Sequence, residues 1–506
     1  MPTRRTPLSM SGLPSRDAAL WLVPVVLALG AFLVSSKAAE DIIGASLAIV
    51  IFVFMMNRPG VAIITLAVYL PFELLGLSLL LSVHVPSTLL RGAAGLKELL
   101  ALAILVAGLR AIRDNRRRLD RIDIAVLAYV AAVTLYLVVP HLFSPVATTQ
   151  WSPRILAWRT DAAYPLIFFG ARHAPIGPRL KEQFMRVVLG VGLIVALLGL
   201  YQRLQPVQWS NFILHNAHVV PYELNVLRLA PQTVGTNLGY ILNINPLRVS
   251  SVFLSPFDMG DFMVLVTAVA AVRITQNHRS LINYVVLAAS LGANFFTRSR
   301  SDGLAAVVIL VLIALPTSRH PLEGRLRLIG ALLVAAVIVV PSLGGTRYVG
   351  AQGGSVSATG HLTEIEDGLR VFAYAPFGLG LGAQPGVTNR ISAGFTVLGG
   401  DVSDNSILQV VDELGVQALV PWLFMLGFVL VSLKRRASRG DPLAAAMGFA
   451  LLGVLIAGEY HHAFLTFPLP WTLWAGVGLA LSADRPAADE EKAGLSTVRP
   501  LTAGVR

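Results

Sequence analysis

The chain has 506 residues, of which 55% are hydrophobic and 13% charged, with a formal net charge of +12 and no cysteine. A soluble chain of that length cannot bury so much apolar surface, so part of its solvent is lipid. Disulfides and thiolate metal sites are excluded. The basic residues, scattered between apolar runs, read as membrane orientation and not as a nucleic-acid face.

In chain order, a polar tail over 1–17 leads into AALWLVPVVLALGAFLVSS, which lacks a small-residue cleavage motif and reads as a retained first span. Apolar runs long enough to cross hydrocarbon then recur near 18–35, 41–56, 60–82, 93–110, 122–140, 155–171 and 185–203, an N-terminal bundle over 18–203. Pro71 and Glu73 mark a place where the span over 60–82 can break. A polar loop over 204–256, rich in Asn, Pro and aromatics, separates this bundle from central spans over 257–344, near 257–273, 281–297, 302–316 and 328–344. A second loop, 345–406, is rich in Gly, Ser and Thr, and spans near 407–433, 442–458 and 468–482 complete the C-terminal set over 407–482 before a tail at 483–506. The expected fold class is an all-α polytopic membrane protein of about 12–14 helices, with two large loops carrying short helices.

Orientation follows from the basic loops. IRDNRRRLDR (112–121), RHAPIGPRLKEQFMR (172–186), RITQNHR (273–279), SRHPLEGRLR (318–327) and KRRASR (434–439) alternate along the chain, so all fall on one side if every run spans. The positive-inside rule makes that side the cytoplasm and places both termini there.

Basic residues left on the opposite side include Lys97, Arg159, Arg248, Arg298, Arg300 and Arg370, several inside or at the lip of a span. An arginine at membrane depth costs several kcal/mol, of order 3, without a partner or water. Each can pair with Asp161, Glu98 or Asp302, or snorkel to headgroups. Taken together they also suit an anionic ligand, because guanidinium groups bind phosphate bidentately.

Four segments then occur in order: RVSSVFLSPFDMGDFM (248–263), TRSRSDGLAAVVILV (297–311), GHLTEIEDGLRVFAYAPFGLGLG (360–382) and DNSILQVVDELGVQALVPWLF (404–424). Together they resemble the bacterial O-antigen ligase and O-antigen polysaccharide polymerase superfamily. That group carries an arginine before a span after the first long loop and an SR pair at a later span. A P-x-G-x-G-x-G-like turn and an HN or DN pair before E-x-G follow. WRTDAAYPLIFFG (158–170) is similar to the family's upstream arginine-bearing span. The resemblance covers roughly 155 to 435.

The resemblance implies a metal-independent, cofactor-free glycosyltransferase acting at the periplasmic face on undecaprenyl-pyrophosphate-linked glycans. These serve as donor and acceptor. Membrane lipids, a chain-length regulator and a flippase are the other partners it implies, with no nucleic acid. An acceptor hydroxyl attacks the donor's anomeric carbon and lipid pyrophosphate leaves. Cationic donors must hold that leaving group, and a base can take the acceptor proton. The absence of a Walker-type loop agrees with such chemistry.

Carried over by position, Arg248 and Arg159 fall to the pyrophosphate, and Arg370, His361, Arg298, Arg300 and Asn405 to substrate binding. The ligases have histidine where this chain has Asp404, and the DN pair points toward the polymerases. Asp404 is either the base or an N-cap, since Asp also caps helices. Glu413 and Gly415 read as shaping the helix entrance. In GEYHHAF (458–464), His461 and His462 suggest no third metal ligand and read as interface histidines. The tryptophans read as a belt at the bilayer boundary. SRS at 299–301 resembles no nucleophile elbow, and no His/Asp partner for it is evident. A lipid-linked oligosaccharide flippase is the rival class. The lack of internal repeats and of carboxylates at the midplane counts against it.

Overall fold

A computed structural model describes residues 36–116, 118–140, 151–227, 234, 248–253, 255–314, 365–383, 405–461, 463–464 and 469–483. The expected spans at 18–35 and 328–344, both terminal tails, and most of the second loop, with His361 and Asp404, lie outside these residues. The described residues contain no strand. The helices of eight or more residues are α1 Ser36–Asn57, α2 Pro59–Ser82, α3 Ser87–Ala94, α4 Leu96–Asp114, α5 Arg121–Val138, α6 Trp151–His173 and α7 Arg179–Leu204. They continue with α8 Pro256–Gln276, α9 Leu281–Thr297, α10 Arg300–Ala314, α11 over 365–374, α12 Ser406–Ser438, α13 Pro442–Gly458 and α14 Leu469–Leu481. Among the described residues, five helical segments are long and apolar enough to cross a membrane, and further apolar helices are shorter. The chain is an all-α, multi-pass membrane protein.

Sequence explains the boundaries. Asp120 caps α5, accepting from the amides of Ile122 and Asp123 at 3.0 and 3.1 Å, and the Asp123 carboxylate reaches back to the amide of Asp120. Ser255 caps α8, with Pro256 at the first helical position, where its missing N–H costs no bond. Pro71 does not break α2, which runs through it from Pro59 to Ser82. Packing and the neighbouring helices tolerate the lost hydrogen bond.

Two helices form the centre. α8 is apolar on all sides and buried along almost its whole length, and α14 is buried throughout. α8 packs on α7, α9, α10 and α13, while α6 lies along α14 and α12 lies along α5 and α13. Small residues allow the close approaches: a Cβ on Gly108 of α4 would lie 2.6 Å from the carbonyl oxygen of Gly170 in α6. The outer faces expose Leu102, Leu109, Ile194, Leu197, Leu423 and Phe424, as lipid-facing surfaces do.

One end of the bundle is tied by ion pairs. Arg172 bridges Asp120 and Asp123, His173 bonds Asp123 at 2.8 Å, Lys181 reaches Asp441 at 3.0 Å, and Arg273 reaches Glu182 at 2.7 Å. Arg436 donates to the last carbonyls of α14, those of Ala480 and Leu481 at 2.8 and 3.1 Å, and to that of Ser482 just beyond it at 2.6 Å. These contacts gather the starts of α5, α7 and α13 with the ends of α6, α8, α12 and α14. The starts of α8, α10 and α12 and the ends of α9 and α13 therefore meet at the other end.

The tryptophan belt needs correction. Trp209, Trp422, Trp471 and Trp474 are buried inside the protein. The Trp422 indole donates to the Tyr164 hydroxyl at 2.9 Å, and Trp474 packs against Tyr164 and Phe168. The rings of Trp422, Trp471 and Trp474 fill the bundle interior and Trp209 packs with Ile213, Ala217 and Val219, whereas Trp151 is exposed.

Candidate functional site

The residues leading into α8 are pinned from two sides. The amides of Ser250 and Ser251 donate to Oε1 of Gln202 at 3.1 and 2.7 Å, and the amide of Val249 donates to the Phe296 carbonyl at 3.1 Å. This brings Arg248 over the ring of Phe257, 5.0 Å from its centroid, as a cation–π pair. Phe257 in turn lies 5.3 Å from the His461 ring.

α9 ends at Thr297, and Arg298, at φ +55°, reverses the chain in the left-handed region. Ser299 follows, and α10 opens with Arg300, Ser301 and Asp302. Across from this turn α13 ends at Gly458, and His461 follows it. The result is a buried cluster. His461 Nε2 bonds Oδ2 of Asp261 at 2.9 Å and lies 3.7 Å from Oδ1 of Asp302, while its Nδ1 faces the Ser301 hydroxyl at 3.2 Å. Ser301 and Ser299 hydroxyls pair at 3.0 Å. Asp261 and Asp302 are fully buried.

This corrects the reading of His461 as an interface histidine, and it supplies SRS with the His/Asp partners it lacked in the sequence. The order hydroxyl, imidazole, carboxylate is present. The Ser301 hydroxyl is nevertheless buried and engaged by both Ser299 and His461, whereas a nucleophile needs access to its substrate.

Asn405 joins the same end. It caps α12, accepting from the amides of Ile407 and Leu408 at 2.8 and 3.0 Å, and donates to Oε2 of Glu459 at 2.8 Å. The Ser406 hydroxyl donates to the His461 carbonyl at 3.0 Å. The cap of this helix is therefore Asn405.

The glycine-rich turn and E-x-G interlock. α12 is unwound at Gly415, with φ +67° and ψ −171°, which frees carbonyls that a straight helix would occupy. The amide of Leu379 donates to the Asp412 carbonyl at 2.7 Å, and that of Gly380 to the Glu413 carbonyl at 2.9 Å. The amide of Val416 donates to the Pro376 carbonyl at 3.0 Å, and that of Gly382 to the Glu413 carboxylate at 2.5 Å. Gln417 donates to the Phe377 carbonyl at 2.9 Å, beside the Tyr136 hydroxyl. The assignment of Glu413 and Gly415 to the shape of the helix entrance agrees with this geometry. A Cβ on Gly378, at φ +80°, would lie 2.6 Å from the Glu413 carbonyl oxygen, so only glycine permits the approach.

Of the remaining predicted residues, Arg159 and Arg370 separate from the cluster, whereas Arg300 flanks it between Ser299 and Ser301. Arg159 pairs with Glu98 at 3.0 Å, and Lys97 pairs with Glu73 in a buried bridge. Arg370 stands exposed on α11, 3.2 Å from Asp367 of its own helix. Arg300 is exposed at the start of α10. Asp261, Asp302 and Glu459 were missed as site residues. The available signal was positional: each lies within two turns of a helix end assigned to the same side as Arg248. No protein-family model matches the chain, and no curated protein is significantly similar to it.

Proposed function

We propose that the protein is a glycosyltransferase that polymerises undecaprenyl-pyrophosphate-linked repeat units at the periplasmic face of the bacterial inner membrane. The observation that supports this reading is convergence. The segments 248–263, 297–311 and 405–424, far apart in sequence, meet at one end of the bundle, with Arg248 stacked on Phe257, Phe257 beside His461, and Asn405 anchored to Glu459. Arg248, Arg298 and Arg300 then take the donor pyrophosphate, whose charge grows as it leaves. The acceptor hydroxyl attacks the anomeric carbon and forms the glycosidic C–O bond. The bond from that carbon to the phosphate oxygen breaks, its electron pair leaves with the lipid pyrophosphate, and the hydroxyl proton passes to Asp404. Arg159 contributes by exchanging Glu98 for a phosphate. Arg370 and His361 belong to the sugar-facing loop. A ligase is the near variant, differing only in acceptor.

One observation favours a transporter as the second reading. Carboxylates are not scarce in the helices: Glu73, Asp161, Asp412 and Glu413 are all buried, with Asp161 near the middle of α6 and within electrostatic reach of Glu413. Buried ionisable groups mark ion and substrate paths in transporters. The deciding experiment gives the purified protein lipid-linked repeat units alone. A ladder of products supports the polymerase, and transfer only on adding lipid A or protein supports the ligase. Movement across vesicle bilayers without transfer supports transport.

A further inference from the structure

We propose that Asp261, Asp302 and His461 hold one divalent transition-metal ion, zinc or manganese. Each residue offers one donor atom, and the three atoms lie within 4.8 Å of one another. Two donors about 2.1 Å from a tetrahedral metal stand roughly 3.4 Å apart. The imidazole-to-carboxylate distances of 2.9 and 3.7 Å bracket that value, so an ion enters with small side-chain rotations.

A carboxylate pair with a histidine is not in itself a metal site. The second observation is Asp302: fully buried, with neither carboxylate oxygen in a hydrogen bond of ordinary geometry among the described residues, and with the His461 imidazole 3.7 Å from Oδ1 shared with Asp261. Burying two carboxylates around one imidazole is costly, and a divalent cation balances the two acids. The imidazole is already oriented for the task. An ion at Nε2 would displace the proton that this nitrogen shares with Asp261, and Nδ1 would then donate to the Ser301 hydroxyl 3.2 Å away, the kind of bond that fixes the tautomer of metal-bound histidines.

The donor set selects the class of ion. Calcium and magnesium favour all-oxygen sites, whereas imidazole with carboxylates suits zinc and manganese. The ligands come from α8, α10 and the turn after α13, so the ion fastens three elements at one end of the bundle. Gly260 makes room for this, since a Cβ there would lie 1.9 Å from Oδ2 of Asp302. The site goes beyond the transferase reading, and it departs from the metal independence that the family resemblance implies.

The test uses the full-length protein purified in detergent, stripped with chelator, and dialysed against zinc or manganese without any lipid-linked substrate. One ion per chain by mass spectrometry is expected for the wild type, with loss in Asp302→Asn and Asp261→Asn, and metal should raise the thermal midpoint of the wild type but not of these two variants. Ser301→Ala keeps every ligand and should weaken binding about 10–100-fold, because only the imidazole's orientation is lost. Absence of uptake by the wild type overturns the proposal, as does equal uptake by Asp302→Asn and Asp261→Asn. Where those variants do not fold, unchanged affinity in Ser301→Ala overturns it.

Discussion

Replacing Gly415 by alanine tests whether the kink in α12 and the 376–382 turn form one unit. At φ +67° and ψ −171° the backbone lies in a region that is essentially glycine-only, and alanine there costs of order 1–3 kcal/mol. The added methyl would also lie 2.3 Å from the Phe377 carbonyl carbon and 2.5 Å from its Cα, backbone atoms that cannot rotate aside. Such overpacking costs about 1–3 kcal/mol more. The chain has an escape, which is to undock the turn. That loses the bonds from Leu379, Gly380, Gly382, Val416 and Gln417, at about 1 kcal/mol each. Both routes therefore set the loss at roughly 4–5 kcal/mol. Gly427, in the same helix with nothing within 4 Å of its Cβ position, is the control, and alanine there should gain about 1 kcal/mol. Thermal unfolding followed by intrinsic tryptophan fluorescence in detergent reads both. If Gly415→Ala melts with the wild type, or shifts in the same direction as Gly427→Ala, the interlock is refuted.

Lys97→Met leaves Glu73 buried without its partner and should cost about 3–5 kcal/mol, whereas adding Glu73→Gln should recover most of the loss, measured by the same melts. Partial burial pushes Asp120 up, but the Arg172 guanidinium and the amides of Asp123 and Ile122 outweigh it and hold the carboxylate at about 2. Its contribution to stability is therefore present above the unfolded value near 4 and lost as pH falls through about 2, and Asp120→Asn should flatten the acid-unfolding profile over that window. Arg248→Ala and Arg159→Ala should each abolish chain lengthening while membrane insertion persists. Single lipid-linked repeats should accumulate on the outer leaflet, and their accumulation on the inner leaflet instead indicates a blocked flippase.

Much of the architecture was legible residue by residue. The apolar runs from 41–56 to 468–482 match helices wherever residues are described, because crossing hydrocarbon demands an uninterrupted internal hydrogen-bond ladder and that demand is written locally. Pro71 misled because a proline's local cost is small beside the packing of α2. The tryptophans misled because an indole suits a bilayer boundary and a protein interior equally well, and only the neighbours of Trp422 and Trp474 distinguish the two. Glu413 and Gly415 were assigned to helix shape, although their partners at 376–382 were invisible in a linear reading.

By itself the sequence determined that this chain lives in a membrane as a helical bundle, and which residue types cluster near helix ends. Which helix ends meet was decided by tertiary packing alone. Asp261, Asp302 and His461 are scattered over two hundred residues and share no spacing rule. They touch because α8 is buried among α10, α13 and their neighbours, and contacts between helices depend on the shapes of whole faces, which no local pattern encodes.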